Sequence, residues 1–398
     1  MAAIFGLRGT GDWTTPDERP KNYHEKLFQL VPEVAPFYGI LSKLGQDSVD
    51  DPEFKVFEER LPQQHAYVTA GGCDNVTTTI PIDDPSTPAK AFKAGDLLKN
   101  MRTGEIIRVV QDPSDPWTSL IVATRGSWGG GAAAMLENDE LRWVGSAYEE
   151  AANAPTAISQ TLSVPYNYLQ VFRDSCEITE VADKTKLRPE PAYVGDKRRA
   201  MIRHMLKIEL ALLFGARVET TGEGGKPLRG TGGLDYWITT NVNDDSAGVS
   251  IDTLEDRMQA YFKYGSKTKV GFAGAGALTR LNRIVRNNVA MNFDMGGSVD
   301  KKQTYGLNVR EFYTPHGTLQ LIPHPALTES SNLTNRVFII DTKAVKWVTL
   351  KGMDTKFFDN VKTDDGYTGR KGEWRTYAGL RLALQEVHAD WIVGPYLP

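Results

Sequence analysis

Residues 166–215 read YNYLQVFRDSCEITEVADKTKLRPEPAYVGDKRRAMIRHMLKIELALLFG, and this stretch decides the fold. It opens with a run typical of an extended strand, which continues through Cys176. Pro189 and Pro191 then interrupt the chain, and from about Asp196 apolar residues recur at helical spacing. The stretch therefore predicts extended segments followed by one long helix that stops at Gly215.

The predicted helix has an apolar face and a basic face. We expect Asp196 to cap its N-terminus with a carboxylate and Gly215 to end it in a left-handed conformation. Such a helix is roughly 28 Å long, which makes it the longest element in the chain. The apolar stripe is Met201, Met205, Ile208 and Leu212, widened by Ile202, Leu206 and Leu213, and the basic residues are Lys197, Arg198, Arg199, Arg203 and Lys207.

Composition limits the class of protein. The chain has 398 residues, which corresponds to about two or three domains, and its 40% hydrophobic content suffices for a core. Its formal net charge of −4 argues against a dedicated nucleic-acid binder, because such proteins need a basic face. Two cysteines predict a reducing compartment without disulfides. We find no run of roughly 20 apolar residues and no signal peptide, so no membrane segment is predicted.

The residues before the central stretch predict an arm and a β-rich unit. Residues 1–22 lack a sustained period and read as an extended arm, and residues 23–45 as two short helices separated by a proline. Residues 54–60 alternate as a strand. Within residues 89–145, short strands separated by glycine and proline turns predict a small sandwich or barrel.

The residues after Gly215 predict an α/β region. We expect Thr253 to cap a helix that runs to about Tyr264 and a later segment to form a hairpin. The predicted strands are 269–273, 309–313, 318–322, 336–341 and 345–350, the second helix is 275–288, and residues 375–388 alternate as a final strand.

No motif for chemistry is complete. Gly274 and Gly276 follow a predicted strand and open a helix, but Thr279 stands where a dinucleotide fingerprint needs its third glycine, so tight strand–helix packing is favoured. Lys226 ends a Walker-like run that continues with a proline, so a surface turn is favoured there. The six histidines have no metal-site spacing, and a serine elbow is absent. We therefore predict no cofactor, no metal and no enzyme activity.

The order of segments resembles a tailed-bacteriophage major capsid protein of the Hong Kong 97 type. Residues 92–98, 103–109 and 122–126 are similar to a β-rich insertion found in one branch of these proteins. The predicted helix 197–214 lies where that fold has its spine helix. The likeness covers nearly the whole chain, and the segments that follow the insertion, 147–151, 167–172 and 231–235, also match in order.

The resemblance implies an α+β fold with a spine helix, an extended loop and a small β-barrel or sandwich insertion. It implies a structural, self-assembling protein whose pentamers and hexamers form an icosahedral shell around double-stranded DNA, with portal, scaffolding and decoration proteins as partners. The DNA contact would be non-specific, and the location would be the virion capsid, assembled in the host cytoplasm. The implied domains are an N-terminal arm (1–50), an extended loop (51–165) with its insertion (about 89–145), a peripheral domain (166–225), an axial domain (226–372) and C-terminal strands (373–398).

Two departures and two alternatives accompany the resemblance. The chain lacks the long acidic helical scaffolding segment of some members, and no lysine–asparagine crosslinking pair can be matched. An encapsulin-like compartment shell has the same fold, and a nucleotide-binding α/β enzyme would use Gly274 and Gly276. The predicted subunit-interface residues are Trp13, Trp117, Trp128, Arg198, Arg199 and Arg203; for each tryptophan a local core contact is the competing interpretation, and for the arginines a solvated face.

Overall fold

The computed structural model describes residues 35–60, 64–69, 71–82, 92–112, 120–155, 157, 162–185, 191–289, 311–359, 361 and 369–395. The chain divides into two compact units. The main unit comprises Met1–Val56 and Pro165–Pro398, and the inserted unit comprises Phe57–Val164. The first predicted helix of 23–45, together with Trp13 and Trp117, lies outside the described residues.

The described residues form seven α-helices and twenty-one strands. The helices are α1 (Pro36–Leu44), α2 (Glu180–Lys184), α3 (Ala192–Phe214), α4 (Leu234–Trp237), α5 (Ile251–Tyr261), α6 (Ala275–Val289) and α7 (Pro325–Glu329). The strands are β1 (Gln46–Val49), β2 (Glu53–Lys55), β3 (His65–Tyr67), β4 (Thr79–Pro81), β5 (Asp96–Asn100), β6 (Ile106–Val109), β7 (Leu120–Thr124), β8 (Glu140–Ser146), β9 (Tyr166–Tyr168), β10 (Gln170–Thr179), β11 (Val218–Thr221), β12 (Pro227–Gly230), β13 (Val242–Asp245), β14 (Thr268–Ala273), β15 (Glu311–Tyr313), β16 (Thr318–Pro323), β17 (Arg336–Ile340), β18 (Val345–Leu350), β19 (Lys356–Phe358), β20 (Gly369–Leu382) and β21 (Ala389–Val393).

The long predicted helix is confirmed as α3, although its start and its buried face differ from the prediction. It begins directly after Pro191, which is the N-cap residue, has φ −57° and ψ 133°, and provides no side-chain cap. Asp196 therefore lies inside the helix, where it pairs with Arg199, and does not cap it. Of the predicted stripe, Met201 and Met205 are only half-buried and Leu206 is exposed. The buried face instead comprises Tyr193, Gly195, Ala200, His204, Ile208, Glu209, Leu212 and Leu213.

Gly215 ends α3, but not in the left-handed conformation that we predicted. Its backbone is extended, with φ −61° and ψ 143°. A Cβ atom on Gly215 would lie 2.3 Å from the carbonyl oxygen of Ala211 and 2.4 Å from that of Thr231. Glycine is needed here because two backbone segments approach it closely, and not because of its dihedral angles.

The first sheet of the main unit packs against α3. Its order is β1-β18-β20-β10, with β19 also paired to β20. Strands β10 and β20 pair antiparallel over ten residues, from Gln170↔Ala378 to Thr179↔Gly369. Along β10, buried and exposed side chains alternate, and Cys176 is buried as a small apolar residue, as predicted. The core between α1, α3 and this sheet includes Phe37, Leu41, Ile208 and Trp347.

The second sheet of the main unit is mixed, with the order β13-β21-β17-β14-β16-β15. Its core with α5 and α6 includes Met258, Leu281 and Trp391. The predicted hairpin is confirmed as the antiparallel pair β15–β16. The predicted cap of α5 is wrong: the Oγ of Ser250 accepts a 3.2 Å hydrogen bond from the N–H of Thr253, so the helix starts three residues earlier than expected.

The inserted unit is a small β-barrel. Its six strands follow the order β3-β8-β5-β6-β7-β4, and a bridge between Val68 and Ile82 joins the two ends of the sheet. The predicted barrel or sandwich is therefore confirmed as a barrel, but β3 and β4 precede the predicted bounds of about 89–145, so the barrel begins earlier than expected. Its core consists of Ala66, Val68, Ile80, Ile82, Phe92, Leu98, Ile107, Val109, Ile121, Ala123, Met135 and Leu141.

The close approach at Gly215 generates a stability prediction. We expect Gly215→Ala to lower the free energy of unfolding by about 2 kcal/mol, because the added methyl group forces backbone atoms apart. Gly39 is a matched control: it lies inside α1 with no atom within 4 Å of its ideal Cβ position. Gly39→Ala should raise stability by about 0.5–1 kcal/mol. Urea unfolding of the unassembled chain measures both, and equal effects would contradict the steric interpretation.

Candidate functional site

The outward face of α3 combines apolar and cationic side chains. Val194 is 56% exposed, Leu206 38% and Leu210 39%. The predicted interface residues Arg198, Arg199 and Arg203 are exposed on the same helix. Arg199 forms a 2.8 Å ion pair with Asp196. Leu206 and Leu210 lie beside Arg199 and Arg203 on this face, whereas Val194, in the first turn, lies about 120° around the helix axis from Leu206. The face that Leu206 and Leu210 share is therefore mixed, with aliphatic and cationic side chains side by side.

The outer face of the β10–β20 pair carries paired charges. Glu373 accepts hydrogen bonds from Arg173 and Arg375, with its Oε2 at 2.9 Å from Arg173 Nη2. Arg173 first, and then Arg375, hold the pKa of Glu373 down at about 2 although its side chain is buried. Lys371 pairs with Glu177 at 3.3 Å. Both carboxylates on this sheet face are therefore paired, and the three cations exceed the two anions by one charge.

Beneath α3, the carboxylate of Glu209 joins three elements. Its Oε1 accepts a 2.8 Å hydrogen bond from the N–H of Phe37, and its Oε2 accepts one of 2.8 Å from the N–H of Tyr38. His324 Nε2 lies 2.6 Å from Oε1. Glu209 and His324 are fully buried. The carboxylate thus caps the N-terminus of α1, where the free N–H groups of the first turn favour a negative charge. It also binds the side chain of His324, the residue that precedes α7.

A second buried group on α3 has the geometry of a hydrolase triad without its access. His204 Nδ1 lies 3.0 Å from Asp174 Oδ2, and Nε2 lies 2.7 Å from Thr376 Oγ1. The hydroxyl of Thr376 is fully buried and bonds to Thr355 Oγ1 at 2.9 Å. Burial lowers the pKa of His204. Because no substrate carbonyl can reach a buried hydroxyl, this group fixes α3 to the sheet and does no nucleophilic chemistry.

A third ionisable cluster lies behind the second sheet. Lys269 Nζ donates hydrogen bonds to the carbonyls of Tyr261 (2.6 Å), Tyr264 (3.0 Å) and Val387 (2.5 Å), and burial lowers its pKa to about 8. The nearby His388 accepts a 3.2 Å hydrogen bond at Nδ1 from the N–H of Asp341. Burial first, and Lys269 second, lower the pKa of His388 to about 4.

In the loop that contains Gly274 and Gly276, backbone N–H groups are bonded to other parts of the chain. The N–H of Gly276 donates to Thr334 Oγ1 at 3.0 Å, and the N–H of Ala277 donates to the Thr334 carbonyl at 2.9 Å. A Cβ atom on Gly274 would lie 2.3 Å from that same carbonyl oxygen. The amides that would hold a phosphate are occupied, which agrees with tight strand–helix packing. The Walker-like run forms the turn between β11 and β12, as predicted.

The described residues form neither a metal site nor a membrane-spanning helix. In the part of the chain that the structure describes, no group of three or more His, Cys, Asp or Glu side chains is arranged to hold a metal ion. None of the helices formed by the described residues is long and apolar enough to cross a bilayer.

The predicted interface residues fall on both units. Trp128 lies on a loop of the inserted unit and is 44% exposed, whereas the three arginines lie on α3 in the main unit. Sequence reasoning missed Glu209, His204 and His324. The available signal was that polar residues at 204 and 209 fall on the apolar side of a helix, which indicates buried partners.

Comparison with known proteins identifies relatives across most of the chain. A family model described as SU10 major capsid protein matches residues 7–390. The major capsid protein of Pseudomonas phage PaMx41 is 25% identical over 353 residues, which are 84% of this chain and 80% of the relative. Among solved structures, the capsid of an empty GTA particle is 8% identical over 98% of this chain and 100% of that one (TM-score 0.48). A chain of Mycobacterium phage Cain is 10% identical over 99% and 100%, respectively (TM-score 0.46).

The buried carboxylate generates a prediction about stability. Glu209→Gln removes the charge and points an amide N–H₂ at a donor, so we expect the free energy of unfolding to fall by about 3 kcal/mol. Glu177→Gln is the matched control, since its side chain is 44% exposed. We expect that change to stay within about 0.5 kcal/mol. Urea unfolding of the two variants measures both changes in the free energy of unfolding. Similar losses in the two variants would show that Glu209 does not hold α1 and α7.

His388 generates a prediction about acid stability. Its pKa of about 4 in the folded chain, against an ordinary 6.5, means that the unfolded chain binds more protons between those pH values. Neutral His388 therefore contributes to the free energy of unfolding above about pH 6.5. This contribution decreases as the pH falls, and the loss reaches ~3 kcal/mol near pH 4. His388→Gln retains an acceptor but does not titrate. In urea unfolding at pH 7 and pH 4.5, this variant should lose less stability than the unsubstituted chain; equal losses would refute the role of His388.

Proposed function

The chain belongs to the SU10 major capsid protein family, whose model spans residues 7–390, and we propose that it builds an icosahedral phage head from pentamers and hexamers around double-stranded DNA. It is a structural capsid protein and not an enzyme. The resemblance to tailed-phage major capsid proteins is confirmed at the level of the family. The observation that carries the proposal is this match over nearly the full chain.

The architecture supports a correspondence with the Hong Kong 97-type plan. In this proposal α3 is the spine helix, the inserted unit is the extended loop (51–165) with its β insertion, and residues 1–50 are the arm. The peripheral domain (166–225) contains β10, and the C-terminal strands (373–398) reach it through β20.

The two sheets exchange strands across the sequence borders expected for these domains. Strand β18 belongs to the segment predicted as axial (226–372), yet it pairs with β20 in the sheet of β10. Strand β21 belongs to the C-terminal segment, yet it pairs with β17 and β13 in the second sheet. We therefore propose that the peripheral and axial domains share residues from both segments.

The surfaces support specific partners. The apolar and cationic face of α3 fits a contact with another copy or with a scaffolding protein, so Arg198, Arg199 and Arg203 stay interface candidates, as does Trp128. Portal and decoration proteins complete the proposed partners. The formal net charge of −4 fits few, sequence-independent contacts with packaged DNA.

The two alternatives have less support. An encapsulin-like shell would share the plan, but the family model that matches this chain is that of a phage capsid protein. A nucleotide-binding enzyme would need the amides of the Gly274–Gly276 loop, which Thr334 already occupies.

Particle size tests the proposed function. We expect the purified full-length chain, alone or with a crowding agent or scaffold, to form closed shells or rings of five and six in negative-stain microscopy, with matching light scattering. Circular dichroism serves as the control that the chain is folded. Native mass spectrometry of the shells then distinguishes enclosed nucleic acid from an enclosed enzyme. A folded particle of one to four chains that never assembles would refute the proposal.

A further inference from the structure

An apolar row of side chains runs along the outer surface of α3. It consists of Ile202, Leu206 and Leu210, which lie four residues apart. Leu206 and Leu210 are exposed, and Ile202 is half-buried. Because residues four apart in an α-helix follow one another as a ridge on its surface, these side chains form one continuous apolar ridge.

The neighbouring row on α3 is basic. It consists of Arg199, Arg203 and Lys207, which also lie four residues apart and are all exposed. Each of these cations precedes a member of the apolar ridge by three residues, and residues three apart are neighbours on a helix surface. The α3 groove is therefore the shallow depression between an apolar ridge and a basic ridge.

The chain neutralises the basic ridge only in part. Arg199 pairs with Asp196 at 2.8 Å, and both side chains are about half exposed. Lys207 Nζ donates a 2.5 Å hydrogen bond to Asp174 Oδ1, while the lysine side chain stays 57% exposed. Among the described residues, the structure shows no ion-pair partner for Arg203. Three cations against two carboxylates leave the ridge with an excess of one positive charge.

This geometry favours a helix over nucleic acid as the occupant of the α3 groove. Two helices pack when a ridge of one enters a groove of the other. A helix with an apolar ridge beside an acidic ridge would cover Leu206 and Leu210 and place a carboxylate next to Arg203. Phosphate is bound by cations and polar groups, so a DNA backbone would leave the apolar ridge in contact with water.

A second copy of this chain fits the α3 groove less well. Among the helices of the described residues, α5 exposes the largest number of acidic side chains, namely Asp252, Glu255 and Asp256. Its only large exposed apolar side chain is Ile251, at its first position. Helix α2 exposes Val181 among acidic residues, but it is only five residues long. Neither helix presents an apolar ridge that could cover Leu206 and Leu210.

We propose that the α3 groove is the docking site for an acidic amphipathic helix of a separate polypeptide. Leu206 and Leu210 form the apolar centre of this contact, and Arg203 receives a carboxylate of the partner in a charge-assisted hydrogen bond. A basic helix of the same shape is rejected by like charge. The inference rests on the proposed function only in that this face of α3 belongs to a partner.

Binding of a synthetic helix to the full chain tests the proposal, with the chain kept below its assembly concentration. The probe is a fluorescent peptide of about 20 residues, with a leucine ridge flanked by a glutamate ridge. A second peptide carries lysine in place of every glutamate. In fluorescence anisotropy we expect the acidic peptide to bind at least about tenfold more tightly than the basic one. No binding of the acidic peptide, or equal binding of both, overturns the proposal.

A charge-reversal pair locates the binding to the groove. Arg203→Glu should weaken binding of the acidic peptide about tenfold and strengthen binding of the basic peptide, a reversal that misfolding cannot produce. Lys267→Glu is the matched control, because it makes the same change at an exposed position before β14, and it should leave both affinities within about twofold. Equal effects of the two variants would show that the charge of the whole chain decides binding, which contradicts the proposal.

An apolar pair measures the contribution of the apolar ridge. Leu210→Ser should weaken binding of the acidic peptide about tenfold, because it removes the centre of the contact. Val242→Ser is its control, since Val242 is 50% exposed on β13, and it should change the affinity by less than about twofold. An unchanged affinity in Leu210→Ser would refute the docking site.

Two further outcomes would assign the α3 groove to another occupant and overturn the proposal. One is a double-stranded DNA fragment that displaces the acidic peptide and loses affinity in Arg203→Glu but not in Lys267→Glu. The other is a dimer of the chain in light scattering that Leu210→Ser abolishes. Because these measurements use the unassembled chain, failure of peptide binding leaves shell formation untouched, and failure of shell formation leaves the peptide affinities interpretable.

Discussion

A carboxylate without access to water fixes the position of the longest helix. Glu209 would be strongly unfavourable inside the protein if it stood alone, because burial removes the hydration of its charge. Two backbone N–H groups of α1 and the ring of His324 replace that hydration. The consequence is reciprocal: α1 needs the carboxylate for its free N–H groups, and the carboxylate needs α1. The chain segment around Phe37 is thereby anchored to α3 although 172 residues separate them in sequence.

The same reasoning explains why polar clusters here are structural. His204, Asp174 and Thr376 have distances that would suit acyl transfer, and Lys269 has a lowered pKa of the kind found in catalytic amines. Geometry and pKa are not sufficient, because a reactive group must also meet a substrate. Each of these clusters is buried with its hydrogen bonds directed at other parts of the chain. They specify which element packs where, and an apolar core alone is less selective in that respect.

Sequence reasoning found most elements whose signals are local. The long helix, the β-rich nature of the inserted unit, the β15–β16 hairpin and the turn before β12 follow from periodicity and turn residues. Sequence reasoning failed where the role of a residue depends on a partner that is distant in sequence. Gly215 is required by the carbonyl of Thr231, which local dihedral preferences do not reveal. The apolar face of α3 was misplaced because Glu209 and His204 enter the core only when Phe37, His324 and Asp174 are present. Strand order was equally out of reach: nothing near residue 345 indicates that β18 pairs with β1 and β20.

In the inserted unit, exposed apolar side chains stand on loops that are held by internal charge pairs. An isolated chain with side chains such as Trp128 and Leu136 in water has a reason to associate, and uncontrolled association gives aggregates. The loops that carry them therefore have to be rigid, so that the apolar groups meet one complementary surface and lose little entropy on contact. In loops 101–105 and 125–139 of the inserted unit, this rigidity comes from the buried Arg125–Glu105 pair and from glycines at positive φ. A buried salt bridge of this kind adds little net stability. The barrel thus uses a buried ion pair to hold the loops that display Trp128 and Leu136.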